Sequence, residues 1–316
     1  MGIKKSLFQG KDNLIPSENQ ANYGSIWSFP DRGPWGDSKW RGNCSGHVIR
    51  ELLQFFRPKK FVEVFAGSGT GRDVAKYLGI DNSVHLDLRP EFGGWNALMD
   101  EIPSGMDFCF SHPPYADMVV YTGEVWGNPN PYDLSRCQSY DEFIHKLNLV
   151  NEKIYNALTK GGRHAILIGD FKQKGKMYSI QKDMAWFGDL EYHIIKDQHN
   201  TVSERKSYGG RFIPTTHEHL LIFKKNEIWF MAVKVTQTID SDIRTRTIAT
   251  WRDLVQGALQ ELGGKARLSD IYDVLKDTKK AKQNQNWQAK IRQTLQLNGN
   301  FKPVERGVWA LDLAAA

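Results

Sequence analysis

Across 316 residues the chain is 40% hydrophobic and 25% charged, an ordinary balance for a water-soluble protein with room for one large domain and one small one. No run approaches the roughly 18–20 apolar residues of a membrane-spanning helix, residues 1–13 do not read as a secretory leader, and three widely spaced cysteines (Cys44, Cys109 and Cys137) exclude a disulfide framework, so no membrane partner is expected and the expected compartment is the cytoplasm. The net charge of +6 is uneven: residues 241–316 hold 13 Lys and Arg against 8 Asp and Glu, which leaves +1 for the first 240, and a basic surplus in one small segment suggests an anionic partner, nucleic acid above all.

Residues 1–25 are polar and turn-rich, a loosely packed arm. The stretch 45–56 reads as an amphipathic helix with Ser45 as its N-cap, ending before "RPKK". "KFVEVFAG" is a short apolar run stopped by glycines, the pattern of a buried strand entering a tight turn. "GRDVAKYLG" is the next helix, "SVHLDL" and "DFCF" are further strands, and 139–162 is a long helix capped by Ser139 and stopped by the pair Gly161-Gly162. "RHAILIGD" and "EHLLIFKK" complete the strands. Strands alternating with helices require crossover connections, so the fold expected over residues 1–240 is α/β: a mostly parallel, doubly wound, Rossmann-like sheet. Residues 226–248 read as a connector with some strand character. The pattern then changes to helices at 250–264, 268–277 and 286–298 with a short apolar tail, which over 241–316 matches a small, mostly helical winged helix-turn-helix.

Two features carry chemistry. Gly67, Gly69 and Gly71 stand directly between a strand and a helix, where the backbone can approach a nucleotide-bearing ligand at a helix N-terminus. Asp87 ends the next strand, 20 residues after Gly67, the place of an acid that accepts ribose hydroxyls. This pattern alone does not choose between NAD and other nucleosides. The second feature is "FCFSHPPYAD" (108–117): two prolines remove two donors and fix two φ angles, so a strand ends abruptly in a stiff turn with an aromatic ring at its tip.

"FAGSGT" followed by "HPPY" resembles the S-adenosylmethionine-dependent DNA amino-methyltransferases, which modify adenine N6 or cytosine N4. Their first motif reads close to (D/E)-x-F-x-G-x-G-T and their catalytic one (D/N/S)-P-P-(Y/F/W), and the resemblance spans roughly residues 27–225. It implies S-adenosylmethionine as cofactor, held by Glu63, Phe65, Ala66, Gly67, Gly69 and Thr70, with Asp87 on the ribose and Asn96 near the adenine. It implies duplex DNA as substrate, with the target base flipped out of the stack. Adenine N6 is the preferred target; cytosine N4, an RNA or protein amino group, and a non-catalytic DNA-binding regulator are the alternatives. A cognate restriction nuclease and a homodimer are compatible with this reading.

His112, Pro113, Pro114 and Tyr115 form the catalytic turn in that resemblance. An exocyclic amino nitrogen is a poor nucleophile because its lone pair is delocalised, so acceptors must be aimed at its hydrogens. The Pro113 carbonyl is one, the first residue of the motif is another, and Tyr115 offers a face for the flipped base. His112 departs from the family's Asp, Asn or Ser. Neutral imidazole accepts through one nitrogen and loses that ability on protonation; Ser111 is an adjacent oxygen. His217 and His219 share a strand face but lack a third ligand at familiar spacing, so no metal is expected. The Trp-, Arg- and Gly-rich stretch 29–46 matches a segment that similar enzymes place against the methionine end of the cofactor. The aromatic stretch 118–137 suits a loop closing over substrate, and 170–183 and 199–211 are basic loops. In the C-terminal module Lys279, Lys280 and Lys282 would meet phosphates, with Lys290 and Arg292 on the helix entering the major groove.

Overall fold

The computed structural model describes residues 24–123, 125–199 and 213–312; the expected loose arm and the basic loop 199–211 lie, all but their ends, outside them. The chain divides into two units, Met1–Thr236 and Gln237–Ala316.

The first unit runs β1 (Ile26–Ser28), α1 (Gly46–Phe56), β2 (Phe61–Val64), α2 (Thr70–Tyr77), β3 (Ser83–Leu86), β4 (Met106–Ser111), α3 (Tyr140–Ala157), β5 (Leu158–Gln173), β6 (Lys176–Ser179), α4 (Ile180–Asp183), β7 (Trp186–Phe187), β8 (Asp189–Asp197), β9 (His217–Lys224) and β10 (Val233–Lys234). Its main sheet has the order β3-β2-β4-β5-β9-β8-β1, with β6 paired to the end of β5. Along that order every neighbouring pair is parallel except the two made by β9, and the appended β6 also runs antiparallel to β5. This is a Rossmann-like doubly wound α/β sheet with one reversed strand.

The central strands are buried on both faces because successive side chains point to opposite sides and helices cover each side. Phe61, Phe108 and Phe110 pack with Val48, Ile49 and Leu52 of α1. Val62, Val64 and Cys109 point the other way, onto Val150 and Ile154 of α3.

The long helix ends at Ala157 rather than at the glycine pair. The Lys225 ammonium donates to the carbonyls of Tyr155 (3.1 Å), Asn156 (3.3 Å) and Leu158 (2.9 Å), satisfying acceptors that a helix C-terminus leaves open. Gly161 and Gly162 then pair with Lys225 through backbone hydrogen bonds and belong to the sheet.

The second unit holds α5 (Trp251–Glu261), β11 (Lys265–Arg267), α6 (Leu268–Leu275), α7 (Lys279–Lys282), α8 (Trp287–Leu297), β12 (Phe301–Glu305) and β13 (Val308–Leu311). Thr250 and Asp253 close a capping box on α5. The strands form an antiparallel sheet, β11-β13-β12. Leu254, Leu259, Ile271, Ile291, Leu295 and Phe301 make its own core. The lysine-rich stretch that holds Lys279, Lys280 and Lys282 is the single-turn helix α7, capped by Thr278.

Candidate active site

The carboxyl ends of β2, β3 and β4 open into one cleft of about 800 Å³, part of it open to solvent. On one side it is lined by Glu63, Phe65, Ala66, Gly67, Thr70 and Asp87, and on the other by His112 and Pro114 of the proline turn. The two motifs, 45 residues apart between Gly67 and His112 in sequence, therefore meet because β2 and β4 are adjacent parallel strands. Such a crevice at the strands' carboxyl ends is where doubly wound sheets bind ligands.

The glycine turn is built from backbone that favours glycine, with φ +50° at Gly67 and +83° at Gly69. Phe65 is also left-handed, at +64°. Buried Glu63 fastens the turn from below: its carboxylate accepts from the Gly71 N–H (3.1 Å) and pairs with His85 Nδ1 (2.7 Å). Asp87 closes the turn from the side, accepting from the N–H groups of Gly67 (2.8 Å) and Arg89 (3.0 Å). Burial raises the Asp87 pKa, and those two donors oppose the rise. Each of its oxygens keeps a second lone pair for a further donor. Gly69 is the N-cap of α2 and stands behind the cleft wall.

The proline turn is held by a chain of polar side chains. The Tyr115 hydroxyl donates to Glu218 Oε1 (2.6 Å), and Lys196 donates to Glu218 Oε2 (2.8 Å). His112 Nε2 lies 3.0 Å from the same hydroxyl. Because that hydroxyl gives its proton to Glu218, the network assigns the His112 proton to Nε2, donating to the Tyr115 oxygen. The lone pair is then on Nδ1. Burial lowers the His112 pKa, with Glu218 opposing and Lys196 reinforcing the shift, so the ring is neutral at pH 7. Burial alone would raise the Glu218 carboxyl, but Lys196, His112 and the Tyr115 hydroxyl hold it down, to about 2.

Tyr115 is placed differently from the expected open stacking face. Its ring fits where Gly169 has no side chain: a Cβ there would lie 2.6 Å from the ring. Ser111 is withdrawn as well, buried and hydrogen-bonded to His164 at 2.7 Å; burial pushes the His164 pKa down to about 3. Of the predicted catalytic residues, His112 and Pro114 line the cleft, whereas Pro113 is buried and, like Tyr115, is not among the lining residues, so its carbonyl is not placed as the expected acceptor.

The stretch 29–46 packs on the glycine turn. The Thr70 hydroxyl donates to Asn43 (2.6 Å), the Gly36 N–H donates to Asp73 (2.9 Å), and Trp40, Gly42 and Asn43 line the cleft. From stretch 118–137, Tyr121, Trp126, Tyr132, Asp133 and Leu134 line the cleft, and Asp133 stiffens the stretch by accepting from the N–H and hydroxyl of both Thr122 and Ser135. Tyr121 stacks on Trp40 (5.8 Å between centroids), and the Arg89 guanidinium lies 4.5 Å from the Trp40 ring and donates to the Gly67 carbonyl. Trp40 and Tyr121 fall in stretches that the sequence marks only as a whole, and Arg89 in none; lone aromatic and basic positions have no motif spacing. Asn96 turns away, its side-chain oxygen accepting from the Leu98 N–H (3.0 Å) to cap its own turn, while neighbouring Trp95 and Ala97 line the cleft.

In the second unit Lys279, Lys282, Lys290 and Arg292 are exposed. Lys282 faces Asp277 (3.4 Å), Lys290 donates to Gln293 (3.0 Å) and Arg292 to the Tyr272 hydroxyl (3.0 Å). Lys280 is half-buried and donates to the Ala249 carbonyl (2.8 Å), a contact that anchors α7 within its own unit.

No protein-family model matches the chain, and no curated protein does. Among solved structures, TrmN from Thermus thermophilus is 14% identical over 58% of this chain and 50% of its own, with a TM-score of 0.36. TTHA0409 from Thermus thermophilus, provisionally named a DNA modification methylase, is 15% identical over 57% and 56%, at 0.28. The N-methyltransferase NodS from Bradyrhizobium japonicum, solved with S-adenosyl-L-homocysteine, is 9% identical over 57% and 86%, at 0.34. The chain thus spans about half the length of the first two. These likenesses are distant.

Proposed function

We propose that the chain is an S-adenosylmethionine-dependent methyltransferase acting on the exocyclic amino group of adenine in duplex DNA. The observation that carries this reading is the meeting, in one cleft, of a ribose-type glycine turn with its acid and a rigid His-Pro-Pro-Tyr turn on the adjacent strand. The cofactor fits the donor set: Asp87 keeps lone pairs for two ribose hydroxyls, and Trp40 and Trp95 supply ring surface. When bound, S-adenosylmethionine supplies an electrophilic methyl group on a sulfonium.

The remaining chemistry falls to this chain's own residues. His112 Nδ1, held neutral and oriented through Nε2, accepts one amino hydrogen of the flipped base. The nitrogen lone pair is thereby released from the ring and turned toward the methyl group. The second unit supports a DNA substrate. Its order, helix, strand, helix, single-turn helix, helix and hairpin, fits a winged helix, and Lys290 and Arg292 of α8 are exposed, as are Lys279 and Lys282 of α7.

Incubating the protein with labelled cofactor and mixed-sequence duplex DNA, then identifying the methylated nucleoside by mass spectrometry, tests the reading. N6-methyladenine is the expected product. N4-methylcytosine, or label found only on RNA or protein, would move the substrate; cofactor and DNA binding without transfer would make the chain a DNA-binding regulator.

A further inference from the structure

Strand β9 carries side chains alternately to the two faces of the sheet. Glu218 faces the catalytic turn, so His217 and His219 face the other way. On that second face β5 runs antiparallel beside β9, with Ile168 opposite His219 and Gly169 opposite Glu218, which brings Asp170 level with His217. Register therefore supplies the third ligand type that spacing along the sequence could not. Asp170, His217 and His219 each offer one ligand atom, and these atoms lie within 4.8 Å of one another.

We propose that Asp170, His217 and His219 form a binding site for a divalent transition metal of the zinc class, separate from the methyl-transfer cleft. Two imidazoles and one carboxylate are a donor set for zinc and its neighbours, whereas calcium and magnesium require oxygens. A tetrahedral ion with bonds of about 2.0–2.1 Å spaces its ligands by roughly 3.4 Å. His219 Nε2 and Asp170 Oδ2 already stand at 3.4 Å, and the His217 ligand atom, within 4.8 Å of its two partners, completes the set by moving inward. His219 is already oriented to ligate, since its other nitrogen, Nδ1, lies 3.0 Å from His193 Nε2 and donates there once Nε2 holds the metal. The second Asp170 oxygen is buried with no hydrogen bond of normal geometry among the described residues, its neighbour on β6 being the Ser179 hydroxyl. An ion's positive charge would answer that oxygen. His219 is nearly buried while Asp170 and His217 are half-exposed, which leaves an entry path and room for a water as the remaining ligand. The site stands whatever the cleft does.

The test uses the full-length, untagged protein, stripped with a chelator and titrated with Zn²⁺ by calorimetry, with metal content after gel filtration read by elemental mass spectrometry. One ion per chain is expected, with affinity lowered by about tenfold or more in His217→Gln and in Asp170→Asn, as for loss of a ligand or its support. Zn²⁺ should raise the melting temperature of the parent protein and not that of the His217→Gln, His219→Gln double variant. A parent protein that retains no zinc overturns the proposal whatever the variants do, and so does zinc held equally well by both single variants, since the ion would then sit elsewhere.

Discussion

His112 combines two constraints that an Asp, Asn or Ser in its place would not carry: it must stay neutral, and one particular nitrogen must hold the proton. Burial lowers its pKa from the ordinary 6.5, so the neutral, accepting form persists to lower pH. Activity should therefore fall only below pH 6.5, as the ring gains the proton that turns Nδ1 into a donor. A kcat/KM profile checks this. His112→Asn should keep activity and remove the acid limb, while His112→Ala should cost about 10²–10³ in rate; full activity in the alanine variant would show that the ring does not aim the amino group. Tyr115 acts through its hydroxyl as much as its ring. Tyr115→Phe, a residue the resembling motif tolerates, should here leave His112 Nε2 and Glu218 without their shared partner. A fall in kcat of about tenfold with unchanged cofactor affinity is expected, the loss of one buried hydrogen bond being worth about 1–3 kcal/mol. At this scale the sequence named His112 and Asp87 because each follows a short motif. It could not name Glu218, which lies 103 residues from Tyr115 and becomes its neighbour only through sheet register.

Among the elements, those with strong periodicity were legible, and the partly exposed strands beyond β9, namely β8 and β1, were not. α1 and the buried strands β2 and β4 show their periods in the chain because they bury one helix face or both strand faces. β8 is polar on its exposed side and reads as no element, yet it supplies Lys196 to the Glu218 pair. The end of α3 was misplaced for a related reason: Lys225, far along the chain, caps it, and the glycines that look like a stop belong to the sheet. The pair of β8 and β9 has a measurable stake in stability. Both side chains are close to nine-tenths buried or more, at 12% and 7% exposure. Removing one partner strands a charge, so Lys196→Met should destabilise the first unit by about 3–5 kcal/mol. Chemical denaturation would show it; a change under about 1 kcal/mol would mean that water reaches Glu218.

At the level of the whole chain, the division into a sheet-based unit and a basic helical one was visible in composition, because charge and periodicity change together near residue 240. What composition could not tell is which lysines are free. Lys280 is spent on a backbone carbonyl of its own unit, so the set open to phosphate is Lys279, Lys282, Lys290 and Arg292. Replacing those four with Gln should weaken DNA binding and lower its salt dependence, each lost contact taking about 0.9 off the log–log slope. An unchanged slope by fluorescence anisotropy would assign the second unit to another partner. The pairing of β1 with β8 has a consequence in time as well as in space. Ile26 finds Ile195 as its strand neighbour, so β1 must wait for a strand made about ten to thirty seconds later at ordinary synthesis rates. Three residues at an outer edge, with a loop this long to close, form the last seam of the sheet. Pulse-labelling hydrogen exchange during refolding should find the Ile195 N–H, which donates to the Ser25 carbonyl at 2.8 Å, protected after the amides of β2 and β4. Until that seam closes, a nascent chain already holding its complete glycine turn would still present an open strand edge.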